Sequence, residues 1–267
     1  MTNNDIIALY KNAQLKTEFI NNYTKAKFSP QTYWTERQAE NQWATIFSMI
    51  AEGLSSQTMP QLHLASKYDL ISALLMISEK GLSFDKKDKQ IYLYVEFSEQ
   101  QIPQLKVVLG YKGMQLMCMR TGLFKYLTSE LVFQGDTFTW RGEATPPEFE
   151  SAGSTENRKL SCGFVGLKYK DGDWLHFKME SAELEEVERA ARAASYMQTG
   201  SEENSLYSTP WRNRMLKIAL WRNAYNWVRS SALAADSSSW LEIDQTGHVG
   251  VSSQKEHVDP VLAKLAR

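Results

Sequence analysis

The residues best suited to chemistry in this 267-residue chain are cations and rings crowded into one short stretch. From Asn204 to Ala235 there is no acid, while Arg212, Arg214, Lys217, Arg222 and Arg229 are interleaved with Trp221 and Tyr225. Guanidinium and ammonium groups meet phosphates, and an aromatic face stacks on a base whichever base it is. That mixture suits single-stranded nucleic acid, with an affinity that falls as salt rises. A second acid-free stretch, Gln100 to Ser129, holds Lys106, Lys112, Arg120 and Lys125. The acids gather elsewhere, notably at Glu183, Glu185, Glu186, Glu188, Glu202 and Glu203. A formal net charge of -1 therefore hides a segregation that can form a local positive groove.

Other chemistry is thin. His63, His176, His248 and His257 stand apart, without the HxH or HExxH spacing of a metal site. No GxxxxGK[ST] or GxGxxG loop is present, so nothing points to ATP. A metal-dependent nuclease would draw on Asp136 with Glu130, Glu143, Asp171 or Asp173, because two-metal chemistry needs converging carboxylates. Turns explain Asp136, Asp171 and Asp173 more simply. Cys118 and Cys162 lack CxxC spacing and read as small buried hydrophobes in a reducing cytosol. No run of 18 apolar residues exists to span a membrane, and the opening residues lack the order of a signal peptide.

These groups need elements to hold them. With 43% apolar and 23% charged residues, the chain can bury a core. The final helix opens at Thr209-Pro210, where a hydroxyl caps and a missing N–H costs nothing. On a helical wheel Leu216, Ala219, Leu220, Ala224, Trp227 and Val228 gather on one side. Arg214, Lys217, Trp221, Arg222, Tyr225 and Arg229 gather opposite, with Ile218 among them. Two readings of that second face stand: a stacking platform, or a solvated face whose rings pack on another element or subunit.

Helices are expected from Thr35, with Trp43, Ile46, Phe47 and Ile50 on one face, and from Ser66 to Gly81. Strands come next at Ile91–Phe97 and Leu105–Leu109, as an antiparallel pair. Tyr111 to Thr121 reads as a short helix closed by Gly122, with Gly110 and Gly113 placed to let backbone approach a ligand. Further strands are expected near Tyr126–Phe133 and Thr137–Arg141, and a hairpin turns at Asp171-Gly172 between Ser161 and Met179. Gly142 to Lys159 reads as an exposed loop, and Ser181 as the cap of a glutamate-led helix. The expected fold is mixed α/β (α+β), helices around a small antiparallel sheet. The expected divisions are a helical oligomerisation and packing region over 1–60, a core over 61–232 and a tail over 233–267.

In order, Gly81-Leu82, Leu109-Gly110-Tyr111-Lys112-Gly113, Arg120-Thr121-Gly122, Val132-Phe133-Gln134-Gly135-Asp136-Thr137-Phe138 and Thr209-Pro210-Trp211 with Met215, Lys217 and Arg222 resemble the pattern of the RecT family. This is a family of phage single-strand annealing proteins, similar in turn to the Red beta type. The resemblance spans about residues 65 to 229. Lys112, Arg120, Lys217 and Arg222 match basic positions, and Asp136 an aspartate to which the family gives no hydrolytic role. The departures are Ile218 where the family tends to have Thr, Trp221 where it often has Arg, and Tyr225 or Asn226 near a usual Lys.

The resemblance implies a non-enzymatic protein that assembles into rings or helical filaments. It implies that the oligomer holds single-stranded DNA and the annealed duplex intermediate without ATP. Magnesium would screen phosphates without a dedicated protein site. A phage exonuclease and a host single-strand-binding protein are the implied partners, in the cytoplasm of a bacterium carrying the phage or prophage. The binding residues expected are Lys106, Lys112, Arg120, Lys125, Arg212, Arg214, Lys217, Trp221, Arg222, Tyr225 and Arg229.

Overall fold

A computed structural model describes residues 1–29, 31–55, 62–97, 102–155, 157–208, 211–231 and 248–249. The fold is mixed α/β, with helices around several small antiparallel sheets rather than a single one. The chain divides into two compact units. One is Met1–Leu116 with Asp236–Arg267, the other Met117–Ala235.

In the first unit, α1 (Asn3–Lys11) starts at a Thr2 cap whose hydroxyl accepts from the Asp5 amide at 3.2 Å. α2 (Ala13–Lys25) buries Leu15, Phe19 and Tyr23, spaced four apart and so aligned on one stripe. A two-stranded pair, β1 (Lys27–Ser29) and β2 (Thr32–Tyr33), interrupts the expected run of helix. α3 (Glu36–Ser55) begins where Thr35 and Gln38 exchange capping bonds, and it runs through Gly53. The four residues expected on its inner face, Trp43, Ile46, Phe47 and Ile50, are buried. α4 (Lys67–Glu79) is capped by Ser66 and stopped by Gly81 at φ +57°. A Cβ at Gly81 would lie 2.7 Å from the Ala26 Cβ, so both its conformation and its crowding demand glycine. Phe19 ties α2 to α3 and to the chain beyond α4, with its ring centroid 5.1 Å from that of Trp43 and 6.1 Å from that of Phe84.

β3 (Ile91–Phe97) and β4 (Pro103–Leu109) pair antiparallel as expected, and β10 (His248–Val249) adds to the other edge of β4. Nothing in the sequence of the tail marks that last strand. α5 (Tyr111–Arg120) carries the chain into the second unit and ends at Gly122, φ +73°.

The second unit is organised by the sheet β5 (Phe124–Phe133), β8 (Leu160–Tyr169) and β9 (Trp174–Glu180), ordered β5-β8-β9. The β8–β9 hairpin closes as expected, with Gly172 at φ +112° in its turn. Between β5 and β8, β6 (Thr137–Thr139) pairs with β7 (Glu148–Glu150). Part of the expected loop from Gly142 is therefore strand, because Phe138 and Phe149 pack onto Phe164 of the larger sheet. α6 (Ser181–Thr199) takes Glu180, not Ser181, as its cap, with the Glu180 amide donating to the Glu183 carboxylate at 2.7 Å. α7 (Arg212–Ser230) starts directly after Trp211. The cap expected at Thr209 and Pro210 lies outside the described residues, as does most of the tail.

Side chains alternate across the β5-β8-β9 sheet. Register puts Leu127, Ser129 and Leu131 on the face with Gly163, Val165 and Leu167 of β8 and Leu175, Phe177 and Met179 of β9. α6 and α7 cover this face. A Cβ at Gly163 would lie 2.6 Å from Leu220 Cδ1, so the glycine is what lets α7 sit so close. Cys118 and Cys162 are both buried in this unit, and burial pushes their thiols up to about 12 and about 11.

Candidate nucleic-acid interface

The candidate cations divide between the units: Lys106 and Lys112 in the first, the others in the second. Lys106 is half-buried on β4, on the side opposite Leu105 and Val107. Lys112 is exposed on α5, its Nζ 5.4 Å from the Tyr111 ring centroid. The neighbouring glycines serve the fold rather than a ligand. A Cβ at Gly110 or Gly113 would strike the backbone carbonyl of Lys89 or Gln90, and the Gly110 amide donates to Gln90 at 2.8 Å. The close approach is chain on chain. Arg120 is half-buried at the end of α5, and Lys125 is exposed at a register shift in β5.

On α7 the expectation needs the largest correction. Trp221 and Tyr225 have no exposed surface, and the Trp221 indole N–H donates to Ser129 Oγ at 3.0 Å. They are core rings, not stackers. The physical reason is that α7 has more than one neighbour: it packs on β5, β8 and β9 and also on α6 and the 3-10 turn Leu206–Ser208. Two coverings bury an arc wider than a single apolar stripe. Trp227, placed on the packing side by periodicity, instead keeps 42% of its surface while touching Phe177.

Arg212 and Lys217 of α7 have carboxylate partners. Arg212 donates to Glu188 through Nε at 2.9 Å, and Arg192 holds the other oxygen at 2.5 Å. Burial would raise the Glu188 carboxyl, but the hydrogen bonds and charges of Arg212 and then Arg192 outweigh it, so the net direction is downward. Lys217 pairs with Glu130 at 2.8 Å across a half-exposed contact. Arg214 stands over the Trp211 ring at 4.9 Å, and Trp211 is 53% exposed. That ring-and-cation pair at the head of α7 has the character expected further along the helix. Arg222 and Arg229 are half-buried.

The carboxylates weighed for a nuclease do not converge. Asp136 accepts the amide of Phe133 through Oδ2 at 2.7 Å and that of Ala152 through Oδ1 at 2.8 Å, and Arg158 pairs with the same Oδ1. Burial pushes its carboxyl up, but Arg158 and those amides hold it below the usual range. Asp171 accepts the Asp173 amide within the hairpin turn. Among the described residues no three His, Cys, Asp or Glu side chains come together as a metal site. Nor is any helix there long and apolar enough to cross a membrane.

The RecT family profile matches residues 40–238, a span that includes both acid-free blocks. The chain belongs to the RecT family, whose members anneal single-stranded DNA in recombination and are not catalysts. No curated protein matches it.

Proposed function

We propose that this chain anneals complementary strands without a nucleotide, as a ring or helical filament of identical copies. The family match across both basic blocks carries the reading. Cations offset repulsion between two phosphate backbones, and a strand held extended loses less entropy on pairing. Sequence choice then resides in Watson–Crick pairing, so few base-edge contacts are needed. Lys106, Lys112, Arg120, Lys125, Arg214, Arg222 and Arg229 are assigned to phosphates. Arg212 and Lys217 join them only by exchanging Glu188 and Glu130 for DNA, and Trp221 and Tyr225 support α7 from within.

Functionally, 61–232 is the annealing core, 1–60 the assembly region and 233–267 the segment that meets an exonuclease or a single-strand-binding protein. The expected site of action is the cytoplasm of a host carrying the phage or prophage, with magnesium acting only by screening.

The test is the rate of duplex formation from complementary oligonucleotides, with protein and without nucleotide, followed by electron microscopy of the products. Acceleration with ordered assemblies is expected. Protection of strands without acceleration would leave a non-annealing single-strand binder, and no binding would end the reading. Arg222→Ala should weaken binding about equally across sequences and reduce the salt slope by about 1. An unchanged slope removes α7 from the path of the backbone.

A further inference from the structure

The end of the β5-β8-β9 sheet away from β6 and β7 holds a line of rings that the phosphate assignments do not use. Tyr126 of β5 and Trp174 of β9 both register with Lys168 of the central strand, on the face away from α6 and α7. Tyr126 meets Trp174 edge-on at 6.3 Å, and Trp174 lies nearly parallel to His176 at 5.1 Å and 21°. His176 in turn meets the edge of Trp140 at 6.2 Å. Lys168 Nζ stands 5.2 Å above Trp174, and Lys178 Nζ stands 5.5 Å above Trp140.

The line is built rather than incidental. A Cβ at Gly166 would lie 2.9 Å from His176 Nε2 and 3.0 Å from Thr128 Cγ2, so the glycine makes room for the imidazole to lie over the sheet. The Glu143 carbonyl sits 3.2 Å from His176 Nδ1 and fixes the ring, which is buried. The outer members differ. Tyr126 is 55% exposed and Trp174 is half-buried, while the β6–β7 rings cover only the other end of the face, at Val132, Cys162 and Phe164.

Core packing does not account for a half-exposed tyrosine beside a tryptophan capped by a lysine. The charge nearby favours an anionic occupant. Among the described residues neither Lys168 nor Lys125 has an ion pair, whereas Lys178 is paired with Glu180 and Glu130 with Lys217. Asp171 and Asp173 sit in the hairpin turn beyond the rings.

The geometry points to the Tyr126–Trp174 surface as the site where bases of the bound single strand stack, with Lys168 and Lys125 meeting the adjoining phosphates. This rests on the annealing reading and sharpens it, because it moves the stacking function from α7 to the sheet. Stacking engages the face of a base and leaves its pairing edge open, as an annealing protein requires. Such contacts are indifferent to sequence, since every base has a π-face.

The experiment compares oligo(dT) with an abasic oligonucleotide of equal length, for the full chain and for Tyr126→Ala, Trp174→Ala and Trp174→Phe. Each alanine variant should bind oligo(dT) about ten-fold more weakly with unchanged affinity for the abasic strand, and the phenylalanine should restore most of the loss. Photocrosslinking of the unaltered protein to 5-iodouracil DNA should map to the peptides holding Tyr126 or Trp174, which keeps the test decisive if an alanine variant fails to fold. Equal losses on both strands, no loss on either, or crosslinks confined elsewhere would overturn the assignment. Variants that disperse DNA-free oligomers while keeping oligo(dT) affinity would make the surface a contact between copies, which also overturns it. If the unaltered protein binds no single strand, the annealing reading itself has failed. Normal binding by the alanine variants removes the platform alone.

Discussion

One face of the β5-β8-β9 sheet receives a tryptophan from α7 and the other carries one of its own, and the contrast between them separates structure from recognition. On the helix-covered face Trp221 has no exposed surface and its N–H is satisfied by Ser129. On the other face Trp174 is half-buried, stacked on His176 and topped by Lys168. Residue type is the same in both cases. What differs is the number of layers laid over the ring, and only a face left short of a cover can take an external one.

The contrast breaks most sharply under truncation. Trp221→Ala should cost ~3–5 kcal/mol of unfolding free energy, as for a large aromatic lost from a core. Trp174→Ala should cost about 1 kcal/mol, since cross-strand ring contacts on a partly open face are worth less. Urea melts of the two variants decide this; similar losses would mean that both faces are core. Next in size is Glu188→Gln, which leaves Arg212 and Arg192 without their carboxylate. About 1–2 kcal/mol is expected, toward the lower end because both arginines are about a third exposed. A gain in DNA affinity without loss of stability would instead show that Arg212 is held in reserve for phosphate.

Acid should act on the open face before it reaches the carboxylates. Burial lowers the His176 pKa, with the Glu143 carbonyl opposing, so the folded state resists protonation that the unfolded chain accepts near 6.5. Stability is full above that value and is lost as pH falls through it, because the unfolded chain then binds the extra proton. Glu188 and Asp136 have depressed values, so their contributions persist above the ordinary carboxylate range and are lost only lower. Thermal melts from pH 7 to 5 should fall for the natural chain and flatten for His176→Gln; parallel curves would show that the imidazole is not the sensor. The smallest effect is expected at Lys217→Ala, below ~0.5 kcal/mol in stability because that pair is well exposed.

Local signals in the sequence are reliable where one neighbour decides the outcome. Caps at Thr35 and Ser66, the glycine stops at Gly81 and Gly122 and the Asp171-Gly172 hairpin depend on a few adjacent residues, and the structure has them. A helical wheel misplaces the α7 rings because it assumes a single buried side, whereas α7 is covered by a sheet and by α6. Tyr126, Lys168 and Trp174 escape the sequence for a related reason. They are remote along the chain and become neighbours only through the register of three strands. Alternation along β5 and β9 is the signal that could find them, since it places Tyr126 and Trp174 opposite the residues under α7. Arg158, which fixes Asp136, lies in a stretch whose composition reads as loop, and no local pattern ties the two together.

The two cysteines give the sheet unit an internal clock. With thiols pushed to about 12 and about 11 and both side chains buried, neither Cys118 nor Cys162 offers much thiolate at neutral pH. Alkylation must then wait for a local or global opening, and its rate counts those openings. Because Cys162 lies beneath the β6–β7 rings, its labelling reports the opening of that cover in the native chain, with no reporter group added.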